Sequence, residues 1–350
     1  MKGILISLIL LMGNLVAAQD VDRGYLEAYP KIGNGYFLYD LDFVHCTVGF
    51  SIRHMGWSKV SGTFSKFSGA VVYDDANPRL LEVSFAIDIN SIDTNQEWRD
   101  KDLKSEKWFN SDKYPQIVFQ SRRAVARRDG LDLVGDLSMK GITKEVTLHM
   151  EPPSGYFKSY VGHELAFNGT TRINRKDFGV GEHTWWNDVI EGIAQLDDSV
   201  DIQLSIIYQL QSPEFIKSRF FDNEDAIYQA VITHGAEAGI DEFDKQIAAY
   251  ELIEDKNEDD FEAITPKDLS TVGLALILEG KDTFAKALLE HNASVYPSNH
   301  QALMPLAFFY LRQKEYPHAR ELAERSLKIN PNNPWALEMT RQLNLLKDRP

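Results

Sequence analysis

His45 and Cys46 stand side by side, and a thiol beside an imidazole is the smallest pair that can do nucleophilic chemistry. Neighbouring side chains of an extended chain point to opposite faces, so the two would not meet. A lone cysteine in such a strand reads as a buried structural residue. It also rules out an internal disulfide and a cysteine-based zinc site. Glu97, Asp100 and Asp102 could gather on one face of a helix for acid–base work, but a solvated charged face explains the same spacing. His163, Glu164 and His183 lack metal-ligand spacing. There is no Gly-x-Ser-x-Gly elbow, no His-Glu-x-x-His helix and no glycine-rich phosphate loop before a helix, so nothing in the chain argues for an enzyme. Two polar residues stand out. His54 continues the apolar face of Val48, Phe50 and Ile52 and so points inward, where it could donate to a guest's oxygen. Arg175 either contacts such a guest or is held by Asp177 or another acid.

These residues sit in a half with a period of two. Val48, Phe50 and Ile52 alternate with Thr47, Gly49 and Ser51. Val83, Phe85, Ile87 and Ile89 alternate with small or polar partners, as do Ile202, Leu204 and Ile206. Further strands are expected at 69–73, 116–121, 131–139, 145–150, 164–173 and 190–194, giving eight or nine with little helix between. One apolar face per strand implies antiparallel pairing around a single interior, and closure into a barrel would remove the edges. Residues 91–110 break the pattern. They are charged but carry Trp98, Leu103, Trp108 and Phe109, and are expected to cross one end of the barrel and seal it. Trp185 and Trp186 would pack at a barrel end or stack on a sugar.

After Ser212-Pro213 the spacing becomes helical. Ala285 and Ala319 are 34 apart, as are Pro297 and Pro331, Leu269 and Leu303, and Val272 and Leu306. That offset, with small residues between paired helices, is the tetratricopeptide signature, though Leu269 and Leu303 stand where tryptophan is common. The two units cover about 266–299 and 300–333, with a helix pair at 302–313 and 316–329 and a closing helix at 334–346, and such repeats usually present a concave face to a protein partner.

The 350 residues suit two domains, and the net charge of −15 argues against tracking nucleic-acid phosphates. Lys2, the apolar run from Ile4 and the small residues at 16–18 read as a signal peptide cut near Ala18. No later stretch is long and apolar enough to span a bilayer. The expected division is a signal peptide at 1–18, a β domain at 19–212, a helical linker at 213–265 and helical repeats at 266–350, in a periplasmic or secreted protein.

Five blocks then carry a resemblance: 42–54 (DFVHCTVGFSIRH) with 60–64 (VSGTF); 91–94 (SIDT) with Arg99-Asp100 and Leu103-Lys104-Ser105; 114–119 (YPQIVF) with Ser121; 135–144 (GDLSMKGITK); and 173–180 (INRKDFGV). In this order they resemble the YceI family over about residues 36–210. The resemblance implies an all-β, antiparallel, lipocalin-like barrel of about eight strands. It also implies a long-chain apolar lipid in the bore: a polyisoprenoid or polyprenol, an isoprenoid quinone or a fatty amide. Cys46 departs from the serine common in the family, which puts any polar contact at that position in doubt.

The residues expected to line the bore are Val48, Phe50, Ile52, Val83, Phe85, Ile87, Ile117, Phe119, Phe167, Ile202, Leu204 and Ile206, with His54 and Arg175 near a head group. No cofactor is expected beyond the lipid itself. The leading expectation is an exported lipid-binding barrel joined to a partner-binding helical tail. The alternatives are a scaffold whose barrel is filled and inert, with the helical half doing the work and Phe308, Phe309 and Tyr310 packing or presenting a surface, and an enzyme acting on an isoprenoid or fatty substrate.

Overall fold

The structure is a computed structural model that describes residues 29–32, 35–74, 77, 81–190, 193–251 and 265–347. The signal peptide expected at 1–18 and most of the acidic stretch after Glu251 lie outside the described residues.

The strands are β1 (Lys31–Ile32), β2 (Gly35–Leu38), β3 (Thr47–His54), β4 (Ser58–Phe64), β5 (Phe67–Tyr73), β6 (Glu82–Asp88), β7 (Ile92–Asp93), β8 (Gln116–Arg127), β9 (Gly130–Met139), β10 (Ile142–Met150), β11 (Phe157–Lys158), β12 (Gly162–Asn174), β13 (Val189–Ile190), β14 (Ile193–Ala194) and β15 (Leu196–Gln211). A helix, α1 (Glu97–Lys104), follows β7. Thirteen strands form one antiparallel sheet in the order β1-β2-β5-β6-β8-β9-β10-β12-β15-β3-β4-β7, with β11 beside β12. The stretch expected as a strand at 190–194 instead supplies β14 and the end of β13, which pair only with each other.

The expected closed barrel is corrected to a curled sheet. β4 and β5 are consecutive lengths of one chain bent at Ser65-Lys66, and no ladder joins them. β4 pairs with β3 and β7, whereas β5 pairs with β2 and β6. The two flanks are linked by the chain itself and by a short bridge between the residues after β2 and β15, where the Asp42 amide donates to the Ile207 carbonyl and the Gln209 amide to the Asp40 carbonyl, both at 2.9 Å. Bulges between Ser121 and Arg123 and between Leu196 and Val200 help the long strands coil. β10 meets β12 in register at His149↔Thr170 and Met150↔Gly169, with a further tie where Thr171 Oγ1 donates to the Thr147 carbonyl at 2.8 Å.

The helical half comprises α2 (Pro213–Lys217), α3 (Asp222–His234), α4 (Ala236–Glu251), α5 (Pro266–Leu278), α6 (Asp282–Val295), α7 (His300–Arg312), α8 (Tyr316–Ile329) and α9 (Pro334–Lys347). α5, α7 and α9 begin 34 residues apart, as do α6 and α8. The small residues Ala285 and Ala319 are fully buried, as are Leu269 and Leu303 at the other equivalent sites.

This half docks on the outer face of β5 and β6. Trp335 Nε1 donates to the Gly69 carbonyl at 3.1 Å, and Ser84 Oγ donates to Glu338 at 2.8 Å. Arg341 bridges Glu338 and Glu82 at 2.5 and 2.9 Å, and Gln342 donates to the same two carboxylates. Tyr39 stacks on Phe308 with ring centroids 3.9 Å apart. Being covered on both faces, β5 reads as the continuous apolar run 70–73 rather than as an alternation.

The end of the sheet at His54 and Leu196 is finished by two crossing segments. Residues 97–109 pass over it, and Arg175 ties the loop after β12 beneath them. Its guanidinium donates to the carbonyls of Asp197, Val180 and Gly181 and to Asn187 Oδ1, pairs with Asp198 at 3.2 Å, and lies over the Trp108 ring. Gly181, at φ 65°, lies where a Cβ would come within 2.3 Å of Trp108.

Two tests follow from these contacts. Arg175 is 3% exposed. Replacing it by Met strands several carbonyls and Asn187, so urea denaturation should show a loss of about 3–5 kcal/mol. Arg175→Lys should recover only part of this, because lysine lacks the planar fork. A loss below about 1 kcal/mol would refute the strap. Near the helical junction, burial pushes the Asp40 carboxyl up to about 7, and its Oδ2 has no hydrogen-bond partner. The folded state therefore holds a proton that the unfolded chain releases near pH 4, so this group's contribution to stability falls as pH rises from about 4 to 7. Asp40→Asn should flatten that slope in denaturation curves taken across the window; an unchanged slope would show that Asp40 does not cause it.

Candidate functional site

Alternation puts one row of side chains from each long strand inside the curl. There they enclose a cavity of about 480 Å³. All twelve residues expected to line a bore border it, together with His54 and Arg175. Six of the twelve are half-buried: Phe50, Ile52, Val83, Ile87, Ile202 and Leu204. Inward apolar side chains with accessible surface are the mark of an interior they do not fill. Gly62 matters here, since a Cβ there would come within 2.6 Å of the Phe50 ring on the neighbouring strand.

The wall also includes residues absent from that set. β9 and β10 contribute Leu133, Leu137, Met139, Val146, Leu148 and Met150. Their i, i+2 spacing was visible in the strands expected there. Trp98, Leu103, Trp108 and Phe109 line one end, where the crossing segment was expected to lie, and Trp186 joins them. Trp186 packs edge-on against His54, with centroids 5.7 Å apart. Exposure gives the direction of the opening. Val71, Leu81, Leu133 and Tyr208 are buried at the far end, whereas Trp98 lines the cavity and is still 62% exposed. The mouth therefore lies at the His54–α1 end, so the crossing segment borders the opening and does not seal it as expected.

Few polar groups face the cavity, and most are already engaged. Arg99 donates to the Thr94 hydroxyl and carbonyl at 2.8 and 2.6 Å, and Asp102 accepts from Trp108 Nε1 at 2.9 Å. Arg175 is held by the loop contacts described above. Its burial pulls its pKa down, against the pull of Asp198 and Asp197. His54 approaches Ser58 Oγ at 3.5 Å through Nδ1. It is the cavity residue best placed to meet a polar head.

The other chemical groups disperse. Asp100 accepts from the Thr94 amide and hydroxyl, so the three acids of α1 form no catalytic cluster. His45 pairs with Asp42 at 2.6 Å rather than with the thiol. Cys46 Sγ accepts from the Ile207 amide at 3.1 Å and donates to the same residue's carbonyl. The cysteine thus keeps a polar contact at its position. Burial pushes its thiol up to about 11, which leaves little thiolate at neutral pH. His163 and Glu164 are buried in β12, and His183 is exposed on a loop. No group of three or more metal-binding side chains occurs among the described residues.

The chain matches the model of the YceI-like domain over residues 39–208. Protein YceI of Escherichia coli strain UMN026 is 37% identical over 141 residues, covering 40% of this chain and 74% of that protein. A Yersinia pestis UPF0312 protein is 34% identical over the same length, covering 40% and 73%. Among solved structures, Burkholderia cenocepacia BcnA is 24% identical with a TM-score of 0.43, covering 49% of this chain and all of that one. A polyisoprenoid binding domain from Saccharophagus degradans is 16% identical with a TM-score of 0.37, covering 50% and 99%. The order of the blocks, the curled sheet and the extent of these matches to the curated relatives agree: through its β domain, the chain belongs to the YceI family.

Proposed function

We propose that this protein carries a long-chain apolar lipid in the cavity of its β domain and releases it by exchange. The observation that carries the reading is the cavity itself. At 480 Å³ it falls within the range of about 300–1,000 Å³ usual for ligand sites. Leaving such an apolar void unfilled would cost on the order of 10 kcal/mol at about 24 cal/mol per Å³, comparable with the whole stability of a domain. Larger side chains at Val83, Val146 and Val200 would narrow it. Their small size suits a guest and stands against the filled, inert barrel.

The guest classes implied by family likeness are polyprenols, isoprenoid quinones and fatty amides. They combine an apolar chain with a small polar end, matching a greasy wall with His54 near its mouth. Each buried methylene gains about 0.8 kcal/mol against water but little against a bilayer, where the chain is already dry. That balance favours shuttling over permanent capture, and the engaged acids and high-pKa thiol favour binding over turnover. The leader-like residues 1–18 support export to the periplasm or beyond. The 34-residue helix spacing supports a tetratricopeptide-type partner module.

Purified from its native host and extracted with organic solvent, the full chain should yield one long-chain lipid per molecule by mass spectrometry. Ile202→Trp, which places an indole in the bore, should lower that yield roughly tenfold while leaving circular dichroism unchanged. A protein that yields no lipid and also rejects quinones and polyprenols in titration would end this reading.

A further inference from the structure

The cavity mouth is ringed by aromatic side chains that face outward. Trp57 is 85% exposed at the turn between β3 and β4, Trp98 is 62% exposed on α1, and Trp185 is 60% exposed beside β13. Three contacts tie the loops that carry them together. Trp185 stacks on the mouth residue Trp186 at 3.9 Å, and the Met55 amide donates to the Gln195 carbonyl at 2.9 Å. The Gly181 amide donates to the Lys107 carbonyl at 3.1 Å, fastening the α1 segment to the same loop. Val189, 63% exposed, extends the patch.

Cations flank part of the ring, although the net charge of the chain is −15: α1 carries three acids and three bases, and the Trp57 turn is flanked by exposed Arg53 and by Lys59, which lies 3.7 Å from Asp201, while the Trp185 loop carries Glu182 and Asp188. Tryptophan prefers the boundary between lipid headgroups and chains, and flanking cations suit the phosphates there.

We propose that this end of the sheet docks on a phospholipid bilayer, seating Trp57, Trp98 and Trp185 among the headgroups so that the mouth opens directly onto the acyl chains. The proposal rests on the cavity being a lipid site, and it adds the route by which the guest enters without crossing water.

The test is flotation of the full chain with phosphatidylcholine vesicles containing some phosphatidylglycerol. The wild type should float. Trp57→Ser combined with Trp185→Ser should cut vesicle partitioning roughly tenfold or more, since both large apolar surfaces are lost. Tyr160→Ser, at the opposite end and 78% exposed, should leave it unchanged. Binding of the dye N-phenyl-1-naphthylamine without vesicles reads the cavity separately, and the double variant should retain it. A wild type that binds dye but does not float, or a double variant that floats equally well, overturns the docking. Flotation without dye binding keeps the docking and removes the lipid cavity. A dimer in sedimentation that the double variant dissolves would overturn the proposal by assigning this face to a second copy of the chain.

Discussion

Everything in the β domain follows from the fact that inward side chains on opposite walls do not fill the space between them: they meet at the closed end, where Tyr73 of β5 packs on Phe167 of β12 with ring centroids 5.6 Å apart, and leave a cavity beyond it. A sheet with one apolar face must bury that face, and here it does so by curling on itself. In an ordinary small domain the rows would interlock at crystal-like density. Here residues such as Phe50, Ile202 and Leu204 keep accessible surface although they point inward. The strap at Arg175, the crossing segment around Trp108 and the glycine at 62 all hold that geometry in place.

The helical half is more than an appendage. It covers the outer face of the strands that carry Val71, Val83 and Phe85 on their inner face. Ser84 and Glu338 are both fully buried at the contact, so polar groups as well as apolar ones fix its register. The result is a three-layer stack of helix, strand and cavity along β5 and β6. Such a stack ties the position of α9 to the wall of the bore.

Much of this was legible in the residues. Period-two alternation placed β3, β6 and β15 and the side chains they send inward, and the 34-residue offset placed the later helices. Closure was misread because alternation says which side a residue faces and nothing about which strands pair at the flanks. Gly62 interrupts the apolar row of β4, which hides its period, and β1, β7 and β11 are too short to show one. The docking of α9 left one trace, the unbroken apolar run through β5, which periodicity alone cannot tell from a strand in the middle of a core. The exposed tryptophans gave no pattern at all, since their grouping arises from loops distant in sequence.

The seam between β10 and β12 has a mechanical meaning. A sheet is stiff because its rungs are many, and these two long strands share two in-register pairs and one side-chain tie. Just past Met150 the seam is bonded again, the Glu151 and Ser154 amides donating to the Asn168 and Ala166 carbonyls at 3.0 and 3.1 Å, so the give in the wall lies at the Ile142–Val146 end of β10, which its nine paired positions hold to β9.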